Sequence, residues 1–90
     1  MAKKIKIELF SANACSRCFK AKMYIKAMVD EFGDKTILYR ELDVLEELDY
    51  AVALGVLATP AIAIDGELVF SGMPSINRLQ DEINKRLAST

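Results

Sequence analysis

The chain has 90 residues, 52% of them apolar and 28% charged, which is one domain's worth of a globular rather than a disordered composition. No apolar run is long enough to span a bilayer, and the start Met1-Ala2-Lys3-Lys4-Ile5-Lys6 lacks the continuous apolar stretch of a signal peptide, so a single 1–90 domain in the cytoplasm is expected. A net charge of −1 argues against a nucleic-acid binder, and the absence of histidine removes Ser-His and Cys-His catalysis together with the commonest zinc ligand.

Residues 3–10 alternate with period 2, placing Ile5, Ile7 and Leu9 on one face and Lys4, Lys6 and Glu8 on the other, which predicts a strand. A small-residue loop, Ser11-Ala12-Asn13-Ala14, leads into a helical pattern over 15–32 with Tyr24, Met28 and Phe32 one turn apart. Phe19 is assigned to the core with them, and Gly33 is expected to supply a left-handed end. Residues 36–42 predict a second strand. Asp43 looks like an N-cap with Glu46 three residues on, opening a helix that carries Leu45, Leu48 and Val52 on one stripe and ends at Gly55.

Residues 60–65 are apolar on both faces, as a central strand requires, and Asp65-Gly66 is a two-residue hairpin signal leading to a strand over 67–70. Ser75 caps a last helix with Ile76, Leu79, Ile83 and Leu87 on one face. The order β-α-β-α-β-β-α predicts an α/β fold. The first two strands run parallel through a crossover, the hairpin adds an antiparallel edge, and three helices cover both faces of a four-stranded mixed sheet.

Charge is unevenly distributed: residues 1–40 hold nine of the 12 basic and four of the 13 acidic residues. Two solvated faces of opposite sign account for this. A local consequence is that Arg17, Lys20, Lys22 and Lys26 lie around and after the two cysteines, where their field favours anionic sulfur. These cysteines, Cys15-Ser16-Arg17-Cys18, fall after the first strand and at the start of the first helix. Unpaired N–H groups and the positive end of the helix dipole stabilise a thiolate there. A spacing of i, i+3 brings both sulfurs to one side of the first turn. Cys15, at the helix mouth, is the expected attacking and more acidic thiol, and Cys18, a turn inside, the resolving one.

Other uses of the pair fit less well. A structural disulfide closing so short a loop restricts the unfolded chain little. A zinc or iron–sulfur site needs about four ligands, which two cysteines without histidine supply only across a dimer. Two inert thiols are the third use; the strand-to-helix placement argues against it without excluding it.

Over nearly its whole length the chain resembles the thioredoxin superfamily in its short form built on a glutaredoxin-like core, as in small redox proteins of archaea and bacteria. The resemblance rests on Phe10-Ser11, the Cys15-x-x-Cys18 pair, Ala58-Thr59-Pro60-Ala61 opening the third strand, Asp65-Gly66, and Gly72-Met73-Pro74-Ser75. It implies a cis Pro60 facing the active-site disulfide, a Thr59 backbone that pairs with an extended substrate, and Met73 in an apolar docking groove. Arg17, Ala58, Thr59, Pro60, Gly72 and Met73 thereby become the substrate-binding candidates.

The chain also departs from the resembled patterns. Ala14 stands where thioredoxins usually have Trp, Ser16-Arg17 where they have Gly-Pro, and Leu9 where they bury an acid. Glu8 is adjacent to Leu9, but strand parity turns it to the opposite face. Relative to glutaredoxins, Arg17 replaces a Tyr, and Gly72–Ser75 offers one Gly and no acid for glutathione.

The expected function is thiol–disulfide exchange with disulfide-containing protein substrates. The expected protein is a monomer with no bound cofactor or metal, no nucleic-acid or membrane partner, and a separate disulfide reductase as electron donor. A glutaredoxin-type activity recharged by glutathione or another small thiol, and a metal or iron–sulfur binding module, are the alternatives.

Overall fold

A computed structural model describes residues 4–88. Strand β1 (Ile5–Ser11) feeds helix α1 (Ser16–Phe32) and then β2 (Ile37–Asp43). Helix α2 (Leu48–Leu54), β3 (Ala61–Ile64), β4 (Glu67–Ser71) and α3 (Ile76–Ala88) complete the order. The sheet runs β2-β1-β3-β4, with β1 and β2 parallel and the β1/β3 and β3/β4 pairs antiparallel. Central position explains composition: every residue of β3 is buried, as its Ala-Ile-Ala-Ile run requires. At the tight turn both Asp65 (φ 53°) and Gly66 (φ 79°) take positive φ, the pattern that matches the twist of a two-residue hairpin. Asp65 is fastened further, because its Oδ1 accepts the Lys6 N–H at 2.9 Å.

Two cores sandwich the sheet. On one face α1 and α3 place Ala21, Ile25, Met28, Leu79 and Ile83 against Ile5, Ile7, Leu9, Ile62 and Ile64. Each fully buried aliphatic side chain there contributes about 1.5–3 kcal/mol of transfer free energy. On the other face α2 covers a smaller cluster of Phe10, Leu42, Ala51, Ala61 and Ala63. Ser75 caps α3, its Oγ accepting the Arg78 N–H at 3.2 Å.

Several expectations need correction. The α2 stripe is not buried: Leu45, Leu48 and Val52 are 74%, 53% and 66% exposed. Asp43 caps a turn over 44–47, accepting the Leu45 N–H at 2.8 Å, and the helix proper begins only at Leu48. That delay changes which face turns inward, so that Ala51, with Tyr50 and Leu54 half-buried, packs on the sheet. Phe19 is 60% exposed rather than core. The buried positions of α1 are Cys18, Ala21, Ile25 and Met28, and Phe19 lies about 100° round the helix from Cys18. Ile76, the first residue of α3, is 38% exposed. Gly33 ends α1 with φ 93° and ψ 149°, positive but outside the left-handed helical region, which Gly55 does occupy at the end of α2. Glu8 does not share a solvated face with Lys4: it is fully buried beside Phe10, because α2 covers that part of the sheet.

Tyr39 packs against the larger core, and its hydroxyl is buried with no hydrogen-bond partner among the described residues. Burial, with the nearby Glu41 charge, pushes its pKa up to about 12. An unpaired buried hydroxyl costs about 1–3 kcal/mol. Tyr39→Phe is therefore expected to leave stability unchanged or raise it by about 1 kcal/mol. A urea midpoint lower than that of the parent protein would show that the hydroxyl is satisfied in solution.

Candidate active site

The end of β1 and the start of β3 lie side by side, Phe10 opposite Ala61. This pairing makes the loop after β1 meet the loop before β3, although they are far apart in sequence. The first loop passes through Ala14 at φ 60°, a left-handed conformation that costs a non-glycine residue about 1–2 kcal/mol. It delivers Cys15 as the N-cap of α1. Cys15 and Cys18 form a disulfide with Cα atoms 5.3 Å apart, inside the usual range. Cys15 is half-buried and Cys18 is 5% exposed.

Two donors converge on the Cys15 sulfur. The Cys18 N–H, one of the unpaired donors of the first helical turn, lies 3.2 Å from Sγ. The Thr59 hydroxyl reaches the same Sγ at 3.7 Å from 44 residues along the chain. The Thr59–Pro60 peptide bond is cis. Pro60 is fully buried, and its carbonyl accepts the Gly72 N–H at 2.8 Å. Thr59, Pro60 and Gly72 are thus linked through hydrogen bonds and the chain to the disulfide.

The remaining candidates stand apart from that chain of contacts. Ala58 is exposed, and with Thr59 it borders an apolar groove of about 300 Å³ whose other walls include Val44, Leu48, Ala51 and Val56. Met73 packs against the larger core and borders a different cleft, of about 180 Å³, with Gly72 and Arg78. The groove beside Ala58 and the cleft beside Met73 are thus separate. Arg17 is exposed in the first turn of α1, as is Lys20, whereas Lys22 turns to β2 and pairs with Glu41 at 3.7 Å. Sequence reasoning missed the groove. The available signal was Leu48, an apolar member of the Leu45, Leu48, Val52 stripe, which lines the groove and is exposed.

Leu9 is fully buried among apolar side chains on the face covered by α1 and α3. Glu8, on the opposite face, accepts hydrogen bonds from the Tyr50 hydroxyl and the Arg40 guanidinium. Burial opposes its ionisation. The bonds from Tyr50 and Arg40, with the Lys6 charge, outweigh that cost and hold the carboxyl below its ordinary range. The same contact, more than burial, raises the Tyr50 pKa. Glu8 therefore serves as an anchor for α2, and Tyr50, to which the sequence assigned no role, is its partner. Among the described residues, no three His, Cys, Asp or Glu side chains are grouped to hold a metal ion. No helix among them is long and apolar enough to cross a membrane.

A dithiol at a helix mouth, able to close into a disulfide, stores two electrons without any further group. Solved structures share the fold. A mutant thioredoxin from Halobacterium salinarum superposes with TM-score 0.79 at 24% identity, over 94% of this chain and 76% of that one. A protein disulfide oxidoreductase from Aeropyrum pernix gives TM-score 0.83 at 27% identity, covering 97% of this chain and 39% of that longer one. Site and fold together define a thiol–disulfide oxidoreductase of the thioredoxin-like class. The Thioredoxin domain family matches residues 3–84. The protein named Thioredoxin from Methanocaldococcus jannaschii is 34% identical over 93% of this chain and 98% of its own length. A relative from Methanothermobacter thermautotrophicus, named Probable Thioredoxin, is 35% identical over 92% of this chain and 96% of its own. The chain belongs to the thioredoxin family.

Proposed function

We propose that Cys15 is the attacking thiolate and Cys18 the resolving thiol of a cofactor-free protein-disulfide reductase. In the reduced protein the Cys15 thiolate attacks one sulfur of a substrate disulfide. The substrate S–S bond breaks, a Cys15–substrate bond forms, and the other substrate sulfur leaves as a thiolate that takes up a proton. Cys18 then loses its proton to water and attacks the Cys15 sulfur. The second substrate sulfur is released, leaving the Cys15–Cys18 disulfide, so two electrons pass from the dithiol to the substrate.

The observation that carries this assignment is the convergence of the Cys18 N–H and the Thr59 hydroxyl on the Cys15 sulfur, while Cys18 is almost wholly buried. Hydrogen bonds to the charged form and a helix N-terminus favour a thiolate at that atom. The Thr59 backbone and the Pro60–Gly72 contact frame the substrate chain, with Ala58 beside it. Arg17 faces an acidic group on the partner, and Met73 supports Gly72 from the core. Leu9 leaves no acid on the α1 side of β1, which makes water the acceptor of the Cys18 proton.

The proposed protein is a monomeric, cytoplasmic domain spanning 1–90, recharged by a dedicated disulfide reductase. The test is to oxidise the protein and measure its return to the dithiol with a thioredoxin reductase and, separately, with glutathione. Rapid recharging by the reductase and slow recharging by glutathione is expected, because Gly72–Ser75 carries no acid to hold the tripeptide. Comparable rates with glutathione would place the protein with the glutaredoxin-type enzymes.

A further inference from the structure

We propose that the outer edge of β2 binds an extended acidic segment of a partner protein, which joins the sheet as a fifth strand with an aliphatic side chain against Leu38 and an acidic one at Arg40. This site is separate from the disulfide and adds a binding function to the chain.

The backbone supplies the first argument. The sheet order leaves β2 paired on one side only. In an extended strand beside a parallel neighbour, each residue sends its N–H and C=O to one side, and successive residues alternate. The Ile5 N–H bonds to the Thr36 carbonyl at 2.8 Å and the Val44 N–H to the Ser11 carbonyl at 3.0 Å. Leu38, Arg40 and Leu42, in step with Thr36 and Val44, therefore turn their backbone groups toward β1. Those of Tyr39 and Glu41 point away from the sheet and have no hydrogen-bond partner among the described residues. The open stretch is closed at each end within the chain: the Ile37 N–H bonds to the Gly33 carbonyl at 3.1 Å, and the Asp43 carbonyl accepts the Glu47 N–H at 2.9 Å. Donors and acceptors alternating along a free edge are the template for one more strand.

Side chains define what that strand carries. Leu38 and Arg40 stand beside Lys6 and Glu8, on the sheet face that α2 covers only farther along, over Phe10 and Leu42. Leu38 is 49% exposed and lines a cleft of about 200 Å³ with Lys6, Tyr39 and Arg40. Arg40 is bonded to the buried Glu8, yet more than half of its side chain is exposed, leaving guanidinium donors free for a second carboxylate. Lys6 forms no ion pair among the described residues, and the neighbouring Asp65 carboxylate is engaged by the Lys6 backbone N–H. On the other face Glu41 is paired with Lys22 at 3.7 Å. The open edge is thus apolar at Leu38 and positive around it. A second copy fits poorly, because antiparallel pairing of two β2 strands over their full length sets Arg40 against Arg40. Leu38 lies opposite Lys6, and Asp43 opposite Ser11 near the active-site loop. That separation is roughly 16 Å along the strand, so a bound segment leaves Cys15 open to substrate.

The probe is a cysteine-free peptide of alternating Thr residues whose intervening positions read Glu, Leu, Glu; in the control Lys replaces Glu. Binding and amide exchange are followed by NMR on the oxidised protein. At low salt the Glu peptide is expected to bind about fivefold or more tightly than the Lys peptide, a preference that shrinks as salt is added. With about nine-tenths of the protein bound, exchange at the Tyr39 and Glu41 amides should slow about tenfold, while those of Leu38 and Arg40, already bonded to β1, change less. The reduced protein should bind equally well. Leu38→Glu should weaken the Glu peptide about tenfold and leave reduction of a small disulfide unchanged. If that variant does not fold, the wild-type preference and exchange pattern decide. Equal affinity for the two peptides, or binding that does not slow exchange at Tyr39 and Glu41, overturns the proposal. Protection of these amides in the protein alone, growing with its concentration, assigns the edge to a second copy and overturns it as well. Neither result touches the oxidoreductase reading, which disulfide reduction tests separately.

Discussion

Cys18→Ser is expected to turn a catalyst into a trap. The attacking sulfur remains, so substrate disulfides still react, but the mixed disulfide with Cys15 must wait for an outside thiol. A resolving group held one helical turn away acts at an effective concentration far above any thiol supplied at millimolar levels, since well-oriented intramolecular reactions reach effective molarities of about 10⁵–10⁸ M. Turnover should fall by at least about 10³-fold, and covalent partner adducts should accumulate on a non-reducing gel. Cys15→Ser should be inactive without accumulating adducts, because Cys18 is 5% exposed and substrate does not reach it. On the reduced wild-type protein, alkylation should mark Cys15 first. Equal trapping by both variants, or alkylation of Cys18 ahead of Cys15, would reverse the assigned roles.

Glu8→Gln is expected to cost about 2 kcal/mol at pH 7, because two hydrogen bonds to a buried carboxylate become bonds to a neutral amide, only one of which keeps its geometry. For a domain of this size the thermal midpoint should fall by roughly 10 °C. The sign of the pH effect follows from the direction of the shift. The folded protein holds the Glu8 carboxyl below its ordinary range, so ionisation favours folding. That contribution is complete above the unfolded value of about 4.3 and is lost as pH falls through the lower folded value. Urea midpoints of wild type and variant should therefore differ most near pH 7 and draw together toward pH 3. A gap that stays constant across that range would mean that the carboxylate is not the group responsible.

The two faces of β1 show how far periodicity reaches. Ile5, Ile7 and Leu9 were legible as the inward face, because alternation in a strand is a local property of the chain. That Glu8 is also buried was not legible. Its burial depends on α2 folding over that part of the sheet and on an Arg from β2 and a Tyr from α2 arriving together. The α2 stripe failed for a related reason. Leu45, Leu48 and Val52 have helical spacing, but spacing is silent on whether a turn at 44–47 delays the helix and changes which side meets the core.

By itself the sequence determined the element order, the hairpin at Asp65-Gly66, the buried character of β3 and the placing of Cys15 at a helix mouth. Each follows from interactions between residues a few positions apart: pleat parity, turn conformation and unpaired amides at a helix end. Only the tertiary structure decided that Thr59 would donate to the Cys15 sulfur, that Gly72 would bond to Pro60, and that an apolar groove would open between α2 and the loop before Pro60. Those arrangements depend on the β1/β3 pairing, which brings distant loops together, and on how α2 settles on the sheet. Both are set by packing across the whole chain, which no local pattern encodes.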